Sequence, residues 1–115
     1  MEPVLQLKED DLVSDNKYAV KTVSLDGQNL VNICDKEILG TIAKDDKREV
    51  HISKEYFGGE VVGVKDALAK VQESSIANIV GKNIIKEVIN AKMASKSAIK
   101  KVGQISFLII MKVSS

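Results

Sequence analysis

Four aromatic residues, one cysteine, one proline and one histidine are all that this 115-residue chain contains of those types, and tryptophan is absent. Each scarcity closes off a class of protein. A single thiol, Cys34, cannot build an internal disulfide framework, so a reducing, cytoplasmic setting is expected. One cysteine and one histidine (His51) fall short of the ligands that structural or catalytic zinc requires, and no metal site is assigned. A serine–histidine–carboxylate device would have to use His51, and no Gly-x-Ser-x-Gly elbow accompanies it, so no catalytic residue is assigned. The longest apolar run, Phe107 to Met111, is far shorter than the roughly 20 residues that span a bilayer. Met1-Glu2-Pro3-Val4 lacks the basic and apolar start of a signal peptide, so no membrane association is expected.

Arginine is scarce too: Arg48 stands alone against sixteen lysines. Bidentate reading of phosphate and guanine prefers arginine, which argues against sequence-specific nucleic-acid recognition but not against backbone contact through lysine. Net charge is +1, with an uneven distribution. Residues 1–16 hold five acids against Lys8, whereas residues 82–101 hold six lysines against Glu87. These segments can attract one another, or the second can meet an anionic partner; solvated surface is the plainer reading of both.

What is present is an ordinary globular balance, 44% hydrophobic and 29% charged, enough for one modest core. Residues 1–16 read as an acidic N-terminal extension, mobile or added to a sheet edge, and residues 17–115 as one α+β domain. Asp26-Gly27 between the β-branched runs 18–25 and 28–34 predicts a two-residue hairpin. That turn sets Thr22 against Val31 and Val20 against Ile33 on one apolar face. Val23–Leu30, Lys21–Asn32 and Ala19–Cys34 make the other, mixed face. Asp35 to Gly40 reads as one helical turn with Asp35 as its N-cap, and 44–48 as a polar turn. Glu49 to Ser53 reads as a half-buried strand with Val50 and Ile52 inward and His51 outward. Lys54 to Gly59 reads as a shaped loop whose Gly58-Gly59 pair allows positive φ or close backbone approach. Glu60 to Val62 is then a short strand.

Lys65 to Glu73 predicts a helix. Ser74 or Ser75 is expected to cap a second, with Ile76, Ile79 and Val80 aligned and Asn78 interrupting. Lys82 to Met93 predicts a third, residues 94–97 a linker, and 104–113 a strand buried on both faces. The glycines of 58–65 lack the spacing of a phosphate loop, and no cofactor is assigned. The candidate binding residues are Glu55, Tyr56, Phe57, Gly58, Gly59 and Glu60, with Asp35, Glu37 and Asn78. Tyr56 and Phe57 offer rings for stacking or anchoring if exposed, and core filling if not. Asp35, Glu37, Glu55 and Glu60 could meet a hard cation such as Mg²⁺, although their spacing is not diagnostic.

Three stretches, Cys34 to Gly40, Ser53 to Glu60 and Ser75 to Gly81, resemble in order and spacing a small archaeal family known as domain of unknown function 424. The resemblance covers roughly residues 17–113 and implies a compact α+β domain without an assigned activity. Where that family tends to carry a Gly-Gly-x-Pro-His-like turn, this chain has Val102-Gly103-Gln104-Ile105-Ser106, so any role of that histidine has no counterpart here. The expected architecture is a small mixed sheet with an N-terminal hairpin and a C-terminal strand, two to three helices packing on one face. The expected function is a non-enzymatic binding or adaptor module, with a protein complex or RNA, including a translation-related assembly, as the open partner classes. The alternative is a small carboxylate-dependent enzyme, with or without Mg²⁺, in which Glu37, Glu55 and Glu60 converge. Self-association through the apolar C-terminal strand is a third expectation.

Overall fold

A computed structural model describes residues 15–112; the acidic extension therefore lies almost wholly outside the described residues. The chain runs β1 (Tyr18–Leu25), β2 (Gln28–Asp35), a 3-10 turn (Lys36–Ile38), β3 (Ile42–Lys44), β4 (Glu49–His51) and α1 (Lys54–Phe57). It continues through β5 (Glu60–Val62), α2 (Val64–Glu73), β6 (Ile76–Val80), α3 (Lys82–Asn90), a 3-10 turn (Lys96–Ala98), β7 (Lys100–Val102) and β8 (Ile105–Met111). Six strands form one mixed sheet in the order β5-β1-β2-β6-β8-β7, and β3 and β4 form a separate hairpin. β2 and β6 are parallel; the other pairs are antiparallel. Among the described residues no helix is long and apolar enough to cross a membrane.

The β1–β2 register is the one that the Asp26-Gly27 turn dictates, with Thr22 opposite Val31 and Val20 opposite Ile33. Both turn residues have positive φ, as a type I′ turn requires. Extended across β6 and β8, this register aligns Val20, Ile33, Ile79 and Leu108 in one row and Thr22, Val31, Ala77 and Ile110 in the next. The face they share is covered by α2 through Ala67 and Val71 and by α3 through Ile84, Ile85 and Val88. Both helices are expected ones, and they lie on one side of the sheet.

The opposite face carries three rows: Ala19–Cys34–Val80–Phe107, Lys21–Asn32–Asn78–Ile109 and Val23–Leu30–Ile76–Met111. The first row is covered by a small lobe, in which Ala43, Ile52, Phe57 and Val102 form a second core with Ala19, Cys34 and Val80. Cys34 thus sits on the mixed face but is fully buried there. The remaining rows have no such cover.

Five expectations are corrected. Residues 76–80 form β6, a central strand, and not a helix; five residues rich in β-branching, bounded by Ser75 and Gly81, satisfy two neighbouring strands more readily than a helix of that length satisfies itself. Lys54 to Phe57 is a single helical turn capped by Ser53, whose Oγ accepts from Tyr56 N at 3.2 Å. Asp35 makes no side-chain bond to the turn that follows it. The C-terminal strand is not buried on both faces: β7 pairs only with residues 105–107, and Ile109 and Met111 are 60% and 68% exposed. The supposed linker leads through a 3-10 turn into β7, an edge strand too short to show periodicity.

Between β2 and β6 the chain encircles the hairpin. It crosses the second face as β3, β4 and α1, adds β5 at the edge beside β1, and returns over the first face as α2.

Candidate functional site

The uncovered part of the second face is organised by side-chain amides. Asn78 Nδ2 donates to Asn32 Oδ1 at 2.8 Å, and Asn32 Nδ2 donates to the Tyr56 carbonyl at 3.1 Å. Lys21 Nζ donates to the Glu55 carbonyl at 2.7 Å. The middle row of the sheet therefore holds α1 by its last carbonyls, satisfying groups that a one-turn helix leaves without partners. Asn78 lies in a strand, where its neighbour in register is Asn32, and its amide is hydrogen-bonded there. No hydrogen bond to its Oδ1 is found among the described residues.

Between this amide chain and the small lobe lies a cleft of about 340 Å³ with a mainly apolar lining. Tyr56, Phe57, Asn32, Asn78, Phe107 and Ile109 are on its walls. The two adjacent rings divide the roles proposed for them. Phe57 is buried in the second core, whereas Tyr56 is 63% exposed. Gly58 and Gly59 both have negative φ or extended backbone, so close approach is their role: a Cβ on Gly58 would lie 2.6 Å from Lys54 O, and one on Gly59 would overlap Val20 O.

The carboxylates do not join them. Glu37 Oε1 accepts from Asn83 Nδ2 at 3.2 Å, Glu60 lies 3.7 Å from Lys70 Nζ, and the Glu55 side chain is exposed on α1. Three acids thus attend three different elements. Among the described residues no group of three or more His, Cys, Asp or Glu is placed to hold a metal ion. His51 is exposed and paired with Glu49 at 3.1 Å, on the wetter face as expected.

Asp35 has a role that local sequence does not reveal. It is nearly inaccessible at the end of β2, and its carboxylate accepts Asn83 N at 3.0 Å and Ile84 N at 2.8 Å. It is the N-terminal cap of α3, 48 residues away, because Gly81 has no side chain to serve. Burial raises its pKa from 3.8, and the two amides partly offset that. Asp35 and Glu37 also line a polar cleft of about 330 Å³ with Asn16, Lys36 and Asn83, separate from the apolar one.

Burial, with Asp35 adding a smaller effect, pushes the Cys34 thiol from 9.0 to about 12. Burial first, then Glu87 and Asp35, pushes the Tyr18 phenol from 10.0 to about 12. Both neutral forms are favoured by folding, so their contributions are fully present below the unfolded values. They are lost as pH rises from about 9 toward about 12, at up to roughly 1.4 kcal/mol per pH unit for each group. A series of thermal melts should show stability falling in that window. Cys34→Ala should flatten the fall between pH 9 and 10, where the phenol contributes least; an unchanged slope would remove Cys34 as its cause.

The comparisons with known proteins bear on fold and family. The family described as "Protein of unknown function (DUF424)" matches residues 23–113. A solved structure described as "Crystal structure of an uncharacterized conserved protein from Methanopyrus kandleri" is similar to this chain, with a TM-score of 0.70 at 20% identity. That similarity covers 82% of this chain and 90% of the other, and at this identity it speaks for the fold alone. No curated protein matches.

Proposed function

The chain belongs to the DUF424 family, whose description assigns no activity, and from the geometry of its uncovered sheet face we propose a non-enzymatic binding module for a polypeptide segment. The observation that carries this reading is the cleft at Tyr56, Asn32, Asn78 and Ile109. An apolar wall lies beside an amide acceptor that no described residue uses. Ligand pockets combine apolar lining with a few placed polar groups. Around it Tyr56, Ile109 and Met111 extend the apolar surface, and the open edge of β8 beyond Phe107 can take an added strand. The carboxylate enzyme has no such support, since Glu37, Glu55 and Glu60 serve different elements.

The test pairs affinity capture from native extract with variants of the cleft. Ile109→Asp and Met111→Lys alter exposed side chains and should change stability by less than about 0.5 kcal/mol. Each should reduce capture of the partner at least tenfold while the melting temperature holds. A partner captured equally by wild type and both variants binds elsewhere and removes this reading. Mass in solution distinguishes a second copy paired along β8 from a different protein.

RNA, in a translation-related complex, is the second reading. It is favoured by the six lysines between residues 82 and 101, none of which lies within 4 Å of a described carboxylate, although Lys82 acts electrostatically on Asp35. Affinity should then fall steeply between 50 and 200 mM salt, by roughly tenfold or more for a few phosphate contacts. Binding indifferent to salt would exclude it.

A further inference from the structure

The margins of the six-stranded sheet differ in how they are protected. β5 and β7, at its two ends, are each three residues long, and they carry Glu60 and the pair Lys100 and Lys101. The stretch of β1 that β5 leaves uncovered is bracketed by Lys21 and Asp26. Short strands and edge charges are devices that keep a sheet from pairing with another chain. The end of β8 has neither. β7 covers residues 105–107 only, and from Phe107 to Met111 the strand carries no charge and no proline. Ile109 and Met111 are also its most exposed side chains.

The register of β8 determines which of its backbone groups are left over. Gly81 N donates to Ser106 O and Lys112 N to Ser75 O, both at 2.9 Å. Bonding alternates along an antiparallel pair, so the even-numbered residues of β8 turn their N–H and C=O to β6 and the odd-numbered ones turn outward. Ile105 and Phe107 meet β7 there, opposite Val102 and Lys100. The outward groups of Ile109 and Met111 have no partner strand among the described residues.

We propose that this edge pairs, antiparallel and about a two-fold axis, with β8 of a second copy of the chain. The inference rests on the polypeptide-binding reading of this face and names its occupant. With Ile110 on the axis, Ile109 lies opposite Met111 of the second copy, and Met111 opposite Ile109 of the second copy. Each pair exchanges two bonds, and every outward group of the two stretches is then used. β7 fixes this register. A shift of two residues toward the start of β8 would set Met111 of the second copy against Phe107, where Lys100 already lies. A shift the other way would carry Ile109 past the end of the strand.

Side chains are compatible with the joint on both faces. Each exposed Ile109 meets a Met111, and Ile110 meets its twin on the helix-covered face, so apolar groups pair across the axis. Lys112 leaves the joint uncharged, since its Nζ donates to the Val71 and Gln72 carbonyls at the end of α2. A net charge of +1 gives two copies little reason to repel. The two sheets become one, and Met111 of each copy extends the wall that Ile109 of the other gives its Tyr56 cleft.

The test is sedimentation equilibrium of the full chain over a range of concentrations, with cysteine variants to read the register. A reversible dimer is expected. Met111→Pro removes an outward N–H and should raise the dissociation constant roughly tenfold or more, because the axis doubles the lost bond. Its melting temperature should stay within a few degrees of wild type. Under oxidising conditions an equal mixture of Ile109→Cys and Met111→Cys should form a disulfide between copies. Either variant alone should not, since like residues lie on the diagonal, about 7–8 Å apart. A monomer at every concentration overturns the inference, as does a dimer that Met111→Pro leaves intact. Cross-linking by either cysteine alone as readily as by the mixture also overturns it. A monomeric chain whose capture of another polypeptide is lost in Ile109→Asp removes the second copy and keeps the binding reading. A monomeric chain whose capture ignores Ile109→Asp removes both.

Discussion

Gly81→Ala should lower stability by about 4 kcal/mol, the largest effect of any single methyl group added to this protein. Gly81 sits at φ +117° and ψ 144°, a region that side-chain-bearing residues enter at a cost of about 1–3 kcal/mol. Its Cβ would also lie 2.5 Å from Asp35 Cγ and 2.6 Å from Oδ2. The carboxylate would have to move, leaving Asn83 N and Ile84 N without the acceptor that caps α3, at about 1–3 kcal/mol more. The second cost alone arises from the contact with Asp35, which provides the check. Asp35→Ala alone should cost about 2 kcal/mol, since it loses the cap but also removes a desolvated charge. The double variant should then cost clearly less than the two singles together. Additive losses in chemical denaturation would show that the glycine and the carboxylate act separately.

Gly59→Ala is expected to cost about 3 kcal/mol, for a different physical reason. The backbone there is unstrained, but a Cβ would overlap the carbonyl of Val20 and approach Lys21 Cα to 3.1 Å. Val20 is buried and pairs with Glu60, so neither partner can retreat without parting β5 from β1. Hydrogen exchange should accelerate at Glu60 to Val62 and Phe57 while β6 and β8 keep their protection. Gly63 serves as the control. It lies in open space with negative φ as the N-cap of α2, and Gly63→Ala should cost only about 1 kcal/mol or less, the difference between glycine and alanine at a cap. If Gly59→Ala costs no more than Gly63→Ala, the close approach at Gly59 carries no energetic weight.

The contrast between these glycines also marks what the sequence makes legible. Asp26-Gly27 can be read because a two-residue turn is wholly local, and it fixes eight pairs of the β1–β2 register. The special role of Gly58-Gly59 is legible as a need for space, but the atom that demands it, Val20 O, comes from another strand. β6 is missed because Ile76 to Val80 carries apolar residues at both helical and strand spacing, and parallel pairing with β2 decides the matter across 46 residues. Asp35 shows the same limit. An aspartate before a helical turn is read as its cap, whereas here the first turn of a distant helix competes for the carboxylate and holds it. Of the candidate residues, Tyr56, Phe57 and Asn78 share the apolar cleft, while Asp35 and Glu37 share the polar one. Asn32 and Ile109 were not singled out by sequence. Their one available signal was register, since Asn32 stands level with Asn78 only when β2 and β6 are known to be neighbours.

The path by which the chain passes around β1 and β2 has a kinetic consequence. Strands β1 and β2 can associate early, because their turn needs no distant contact. Nothing holds that pair in place until β5 has reached its edge and α2 has closed over its first face. Release must follow the same route backwards. Tyr18 to Val20 and Ile33 to Asp35, gripped by the surrounding segment, should exchange their amide protons only when the whole assembly opens. Val23 to Gln28, beyond its grip, should exchange by fraying from the turn. A single hairpin is thereby split into a latched half at its open end and a free half at its turn.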